Sequence, residues 1–245
     1  LTKVGLYSII RTYGLFYYES NFIKSYILIL GAVSIIAGCI GTIYQKDLKQ
    51  IVIFNIVISL GVMVCGTATL NTFGVKGALL YAVNDILLKA ALFIVVGLII
   101  YVSGVKYLQK CGLINKYPLL GWTYFIIVLS LAGVPPFSGF YGKALIIKGL
   151  VTNNNTFIAI LVALSGLVVF YSLIRIFLNV FYDNINKSLI LKPLPKGVQI
   201  PLIAIVAIAL IIGVSTNLLD GFFDKGIQMV LNPQHYIDLV LKKGA

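Results

Sequence analysis

The stretch from Leu119 to Leu150, LLGWTYFIIVLSLAGVPPFSGFYGKALIIKGL, constrains the fold more than any other part of the chain. It is apolar and exceeds the roughly 20 residues that a helix needs to cross a bilayer. Its middle nevertheless holds Gly133, Pro135, Pro136 and Gly139, residues that cannot continue an ordinary helix. The stretch therefore reads as a broken membrane span. Lipid offers no partner to the backbone groups that a break frees, so the break must be buried in protein or line a hydrated cavity. Lys143 follows it, in the second half-helix. A lone ammonium near the bilayer midplane costs at least ~2.5 kcal/mol, so an intramembrane lysine is a functional hypothesis by default. A broken helix beside a buried charge is a signature of an ion site.

Composition supports the same class. Of 245 residues, 60% are hydrophobic and 11% charged, with a mean hydropathy of +1.04, which predicts an all-α, polytopic membrane protein without a soluble domain. The length suits about seven spans with short connections. The chain opens on Leu1, Thr2 and Lys3, with no initiator Met, charged leader or cleavage site, and so reads as the C-terminal piece of a longer protein. The net charge of +12 raises the question of nucleic acid, but the lysines are scattered between spans with no basic helix or aromatic reading surface, so none is expected as a partner. Cys39, Cys65 and Cys111 form no CxxC pair and have no clustered histidines, so neither metal nor disulfide is expected.

Taken in order, the first span, residues 1–18, places Lys3, Tyr7 and Arg11 at intervals of four and hence on one helix face. That face points into protein or water; alternatively, Lys3 is a terminal anchor snorkelling to the interface. The second span, 25–44, is rich in small residues that allow close helix approach. The third, 50–70, carries Asn55 and Ser59 four apart, a stripe that could hold water for a proton path or simply bond to a neighbouring helix. In the fourth, 75–103, Tyr81, Asp85 and Lys89 are again four apart, with Asn84 adjacent. Acid then base at this spacing is the favourable order for a pair, and each lowers the cost of burying the other. A purely structural ion pair is the other reading of Asp85 and Lys89. The broken fifth span follows a basic loop. The sixth, 157–182, has Arg175 near its far end, read as structural and snorkelling. The seventh, 199–219, completes a membrane domain over residues 1–219.

Alternate loops group the charges. Lys46, Lys49, Lys106, Lys110, Lys116, Lys187, Lys192 and Lys196 fall on one side, while Lys24, Lys76 and Lys225 fall on the other. The positive-inside rule makes the first side cytoplasmic. The tail, 220–245, then lies outside as an interfacial or partner-binding segment, and His235 in it reads as a surface residue.

Lys3, Lys89 and Lys143 stand in separate spans, and no nucleophile, base and acid accompany them, so catalysis is not expected. A buried amine can be tuned to gain and lose a proton near neutral pH, which makes proton relay the natural task, with Asp85 as its modulating acid. Tyr7, Asn55, Ser59, Tyr81 and Asn84 are the supporting polar groups.

The segments LTKVGLYSIIR, KDLKQIVIFNIVISLG, GALLYAVNDILLKAALF, LAGVPPFSGFYGKALI and NPQHYIDLVL resemble the D subunit of the multisubunit Na⁺/H⁺ antiporters of the Mrp or Mnh type, over essentially the whole chain. The span pattern is shared with the antiporter-like membrane subunits of respiratory complex I. The resemblance implies a fold of about fourteen spans built from two inverted repeats, of which this chain holds the eighth to the fourteenth. It also implies that Lys3, Lys89 and Lys143 belong to a central polar axis for protons. Position 84 is Asn where members more often have His, so a water-bridged link replaces an imidazole there. Lys143 stands where the most similar complex I subunit has Glu, which favours an antiporter. The implied protein is a proton-translocating subunit of a monovalent cation/proton antiporter, in a bacterial cell membrane and in complex with other subunits. The alternative is a membrane subunit of an NADH:quinone oxidoreductase or membrane-bound hydrogenase. No nucleotide loop, flavin motif or cysteine cluster is present, so no cofactor is expected under either.

Overall fold

The computed structural model describes residues 2–17, 20–135, 137–182, 192–194 and 197–214. All regular elements among them are helical: α1 (Thr2–Phe16), α2 (Asn21–Tyr44), α3 (Leu48–Ala68), α4 (Thr72–Ser103), α5 (Pro118–Ala132), α6 (Ser138–Thr152), α7 (Thr156–Ile176) and α8 (Gln199–Val214), with a 3₁₀ turn at Leu113–Asn115. α7 runs on into a π-helical turn, Phe177–Tyr182. Among the described residues, four helices are long and apolar enough to cross a membrane: α2, α3, α4 and α7 with its π-helical extension. Pro136, Lys187, Lys196, the expected end of the seventh span and the 220–245 tail with Lys225 and His235 lie outside the described residues.

Helix starts follow local side-chain chemistry. The Ser20 hydroxyl accepts from the Ile23 N–H, the Asp47 carboxylate accepts from Lys49 and Gln50, and the Asn71 side-chain carbonyl accepts from Gly74, each satisfying amides that have no partner inside the helix. Pro118 opens α5, where its missing N–H costs nothing. Stops are equally local. α4 ends at Gly104 (φ 70°) and α5 at Gly133 (φ 82°), both in the left-handed region that glycine enters without penalty.

α4 is the centre of the bundle, packed against α3, α5, α6 and α8. Its approach to α6 depends on small residues: a Cβ on Gly77 would lie 2.7 Å from the Ile146 amide nitrogen, and one on Gly142 would lie 2.9 Å from the Tyr81 Cβ. α2 and α3 meet in the same way at Gly31 and Gly61. With no hydrophobic gain to drive helices together in lipid, such close packing holds the bundle.

The loops pair by side, as alternate spans require. Leu48 N–H donates to the Lys106 carbonyl (3.0 Å) and Leu108 N–H to that of Lys46 (2.9 Å), joining the α2–α3 and α4–α5 loops. The Tyr117 hydroxyl donates to the Lys192 carbonyl at 2.9 Å. At the other end, the Asn153 amide donates to the Thr69 carbonyl (2.6 Å) and the Asn71 amide to that of Gly149 (2.7 Å), joining the α3–α4 and α6–α7 turns. The lysines grouped on one side from sequence therefore share a face wherever they are described.

Arg175 does not merely snorkel. Its guanidinium donates to the carbonyls of Ile43 (2.9 Å) and Gln45, at the end of α2. Those carbonyls have no helical partner and carry the negative end of the α2 dipole. Arg175→Ala is expected to lower unfolding free energy by about 1–2 kcal/mol, part of the usual value for a charged hydrogen bond because the contact is partly exposed. Thermal melting in detergent would read this, and an unchanged melting curve would show the cap to be dispensable.

Candidate functional site

The break lies where the sequence places it, and its polar accounting closes on one side chain. A helix leaves its last four carbonyls without partners. At the end of α5 the Gly133 amide takes Ser130 (3.2 Å) and the Val134 amide takes Leu129 (3.1 Å). The other two are taken by Lys143, whose Nζ donates to Leu131 (3.2 Å) and Ala132 (2.9 Å) from the far side of the break. Lys143 is only 6% exposed. Its ammonium thus caps α5 at the negative end of the helix dipole. The Tyr81 ring stands with its centroid 5.5 Å from the same Nζ. Glycines make room for the seat. A Cβ on Gly133 would meet Lys143 Cδ at 3.1 Å, and one on Gly166 of α7 would lie 3.1 Å from the Ala132 carbonyl oxygen.

A second cluster joins α1, α3 and α4. Asp85 is fully buried, and its Oδ2 is paired with the Lys3 ammonium. The Ser59 hydroxyl donates to that same oxygen at 3.2 Å, and Lys89 Nζ lies 3.2 Å from Oδ1. Lys89 also donates to the Asn55 backbone carbonyl and to Ser59 Oγ, both at 2.6 Å. Lys3 has the Met63 sulfur 3.5 Å away as a further partner. Two cations therefore share one buried carboxylate, and each depends on it for compensation.

The structure thus brings together Lys3, Asp85, Lys89 and Ser59 as one group, and seats Lys143 apart on the break. Tyr81 and Asn84 face the broken span: Tyr81 lies under Lys143, and a Cβ on Gly139 would come 3.4 Å from Asn84 Nδ2. Asn55 acts through its backbone; its side-chain amide donates to Ile51 (2.8 Å) and to Ser172 of α7 (3.3 Å). Tyr7 stands apart from them. Its sequence spacing with Lys3 is helical, but Tyr7 is 61% exposed and takes no part in the cluster. The long, flexible stem of Lys3 carries its ammonium inward to Asp85, while the Tyr7 ring, one turn on, stays at the outer surface of α1. Sequence reading also misses that Lys3, and not Lys89 alone, pairs with Asp85; that contact spans distant segments and leaves no periodic trace. The carbonyl partners of Lys143 are open to anticipation, since Gly133 ends α5 with orphan acceptors aimed at the break.

A helical bundle with helices long and apolar enough to cross a membrane, a helix break capped by one buried lysine and a buried lysine–carboxylate group defines the class of polytopic membrane proteins that bury ionisable side chains. Residues 1–169 match the NADH:quinone oxidoreductase/Mrp antiporter transmembrane family, and the chain belongs to it. It is similar to the D subunit of the Na(+)/H(+) antiporter of Bacillus subtilis (strain 168), with 37% identity over 250 residues, covering 99% of this chain and 50% of that protein. The chain thus spans about half the length of the curated relative. Its fold matches a chain in the structure of the Mrp complex from Dietzia sp. DQ12-45-1b with a TM-score of 0.91 at 21% identity, covering 98% of this chain and 53% of that one. It also matches a chain of respiratory complex I from Thermus thermophilus with bound NADH, with a TM-score of 0.77 at 20% identity, covering 95% and 50%. At these identities the likeness is one of fold.

Proposed function

We propose that the chain is part of a proton-translocating membrane subunit of a multisubunit monovalent cation/proton antiporter, in which Lys3, Asp85, Lys89 and Lys143 carry protons through the bilayer. The observation that carries this reading is the pair of nearly fully buried lysines, Lys89 and Lys143, held on backbone carbonyls and polar side chains in separate membrane segments. Such residues are costly and persist where ions move. The seat of Lys143 also suits the task. Two carbonyls need two N–H donors, and an amine supplies them whether it is charged or neutral. Lys143 can therefore release and regain a proton without leaving an orphan acceptor behind.

On this reading residues 1–219 form about seven spans, with α5 and α6 crossing together as one broken helix, and constitute the second half of a fold of about fourteen. Residues 220–245 form an extracytoplasmic tail. The lysine-rich loop face is cytoplasmic, in a bacterial cell membrane, and the partners are the other antiporter subunits with Na⁺ or another monovalent cation. The second reading, a membrane subunit of an NADH:quinone oxidoreductase or a membrane-bound hydrogenase, draws on the shared family and on the fold likeness to complex I.

One experiment separates them. Proton flux is measured in inverted vesicles holding the full-length protein and its partner subunits, for wild type and Lys143→Ala at equal assembly. Flux that follows added Na⁺ or K⁺ without an electron donor, and disappears in the variant, is the expected result. Flux that requires a reductant transfers the protein to the second reading, and a variant that transports normally removes Lys143 from the path.

A further inference from the structure

We infer that the Ser59 hydroxyl is the proton bridge between Lys89 and the Asp85–Lys3 pair, and that rotation of its single hydrogen opens and closes that bridge. The inference rests on the proton-carrying reading above and assigns a step within it. Ser59 Oγ accepts from Lys89 Nζ at 2.6 Å. It has two acceptors within reach for its own hydrogen: the Ile56 carbonyl of its own helix at 2.9 Å and Asp85 Oδ2 at 3.2 Å. A hydroxyl has one hydrogen to donate, so these two bonds alternate.

With the hydrogen on Ile56, the bond is a local one of the kind serines make to their own helix, and no donor runs from Ser59 to Asp85. With the hydrogen on Asp85, a continuous line runs from Lys89 Nζ through Ser59 Oγ to Asp85 Oδ2 and on to Lys3 Nζ. Along that line Lys89 passes a proton to Ser59 Oγ as the hydroxyl proton moves to Asp85 Oδ2. Ser59 ends as a hydroxyl, Lys89 as a neutral amine and Asp85 as a carboxylic acid. When Lys3 is neutral it then takes the proton from Asp85, which returns to its carboxylate. One proton has moved from Lys89 to Lys3, with nothing else gained or lost. Lys89 also touches Asp85 directly, but at Oδ1, whereas Ser59 delivers to Oδ2, the oxygen that Lys3 holds. Both end groups are anchored independently of Ser59, since Lys89 has the Asn55 carbonyl and Lys3 has Asp85, so removing the hydroxyl leaves only the Oδ1 contact, from which a proton reaches Lys3 only if the carboxyl group turns.

The test is cation-driven proton flux by the full-length protein in its complex, comparing wild type, Ser59→Ala, Ser59→Thr and Lys143→Ala at equal assembly, in H₂O and D₂O. Ser59→Ala is expected to slow flux by at least about tenfold, the low end of what a positioned proton-transfer group contributes, while Ser59→Thr stays within about threefold of wild type. A smaller solvent isotope effect in Ser59→Ala than in wild type is also expected, because the route through Ser59 moves two protons in one step and the direct contact moves one. Flux in Ser59→Ala equal to wild type overturns the inference, as does an equal loss in Ser59→Ala and Ser59→Thr, which a general packing defect would produce. If Ser59→Ala does not assemble, Ser59→Cys takes its place: its weaker donor should slow flux, and wild-type flux overturns the bridge. Should Ser59→Ala alone transport normally while Lys143→Ala is inactive, only the bridge is wrong; should both transport normally, the proton-carrying reading itself falls.

Discussion

Asp85→Ala is expected to abolish proton flux and to destabilise the protein by about 3–5 kcal/mol, the range seen when one partner of a buried ion pair is removed. The size follows from the count of charges. Lys3 and Lys89 share this one carboxylate, which is 0% exposed, and nothing else described in the cluster is an anion. Without it, two ammonium groups face each other across a space lined by Ser59, Met63 and the Asn55 carbonyl. Each can relieve the repulsion only by losing its proton or by leaving the site, and either outcome would end the proposed relay, which needs both. Asp85→Asn keeps the shape and an acceptor oxygen for Ser59 but not the charge, so it should assemble better than the alanine variant and transport no better. Adding Lys89→Met to Asp85→Ala should recover part of the lost stability without recovering flux. Thermal melting in detergent, paired with vesicle flux, reads both effects. An Asp85→Ala protein that melts and transports like its parent would show that the carboxylate is not what holds the two lysines in the bundle.

The break between α5 and α6 is legible in the sequence, because the physics of a break is local. Pro135 cannot donate to a helix and Gly133, two residues before it, enters the left-handed region without penalty, so together they end α5, and an apolar flank on each side identifies the medium. The Asp85 and Lys89 pairing is equally legible, since helical spacing places them on one face. Contact between helices is not legible in this way. Lys3 and Lys89 compete for Asp85 because α1 and α4 both pack against α3, and no spacing within one helix records that. Tyr7 shows the reverse case. A shared helix face is not a shared environment: α1 lies at the edge of the described bundle, and one turn along the helix is enough to bring Tyr7 to the surface. Arg175 reads from sequence as reaching for water, whereas the nearer attraction is the carbonyl end of α2. In each case the missing information is which helix stands next to which.

Gly139→Ala is expected to silence transport while removing no charged or polar side chain. Gly139 sits in the first turn of α6, and a Cβ built there would overlap the Ser130 carbonyl oxygen, a contact that side-chain rotation cannot relieve because the obstacle is backbone. The two halves of the broken span must then separate. Their separation falls on the seat of Lys143, whose ammonium reaches from α6 to the Leu131 and Ala132 carbonyls of α5 at 3.2 and 2.9 Å. Bonds of that length weaken steeply when stretched, and two carbonyls would lose their only described partner. The cost in stability should fall near the usual range of about 1–3 kcal/mol for overpacking, whereas flux should drop as far as in Lys143→Ala. Gly97→Ala supplies the control, since a Cβ at Gly97 of α4 meets nothing within 4 Å. Alanine there should be neutral or stabilising by up to about 1 kcal/mol through helix propensity, with transport unchanged. If Gly139→Ala transports as well as Gly97→Ala, the close approach of the half-helices is not what positions Lys143, and the seat on α5 would have to be incidental to ion movement.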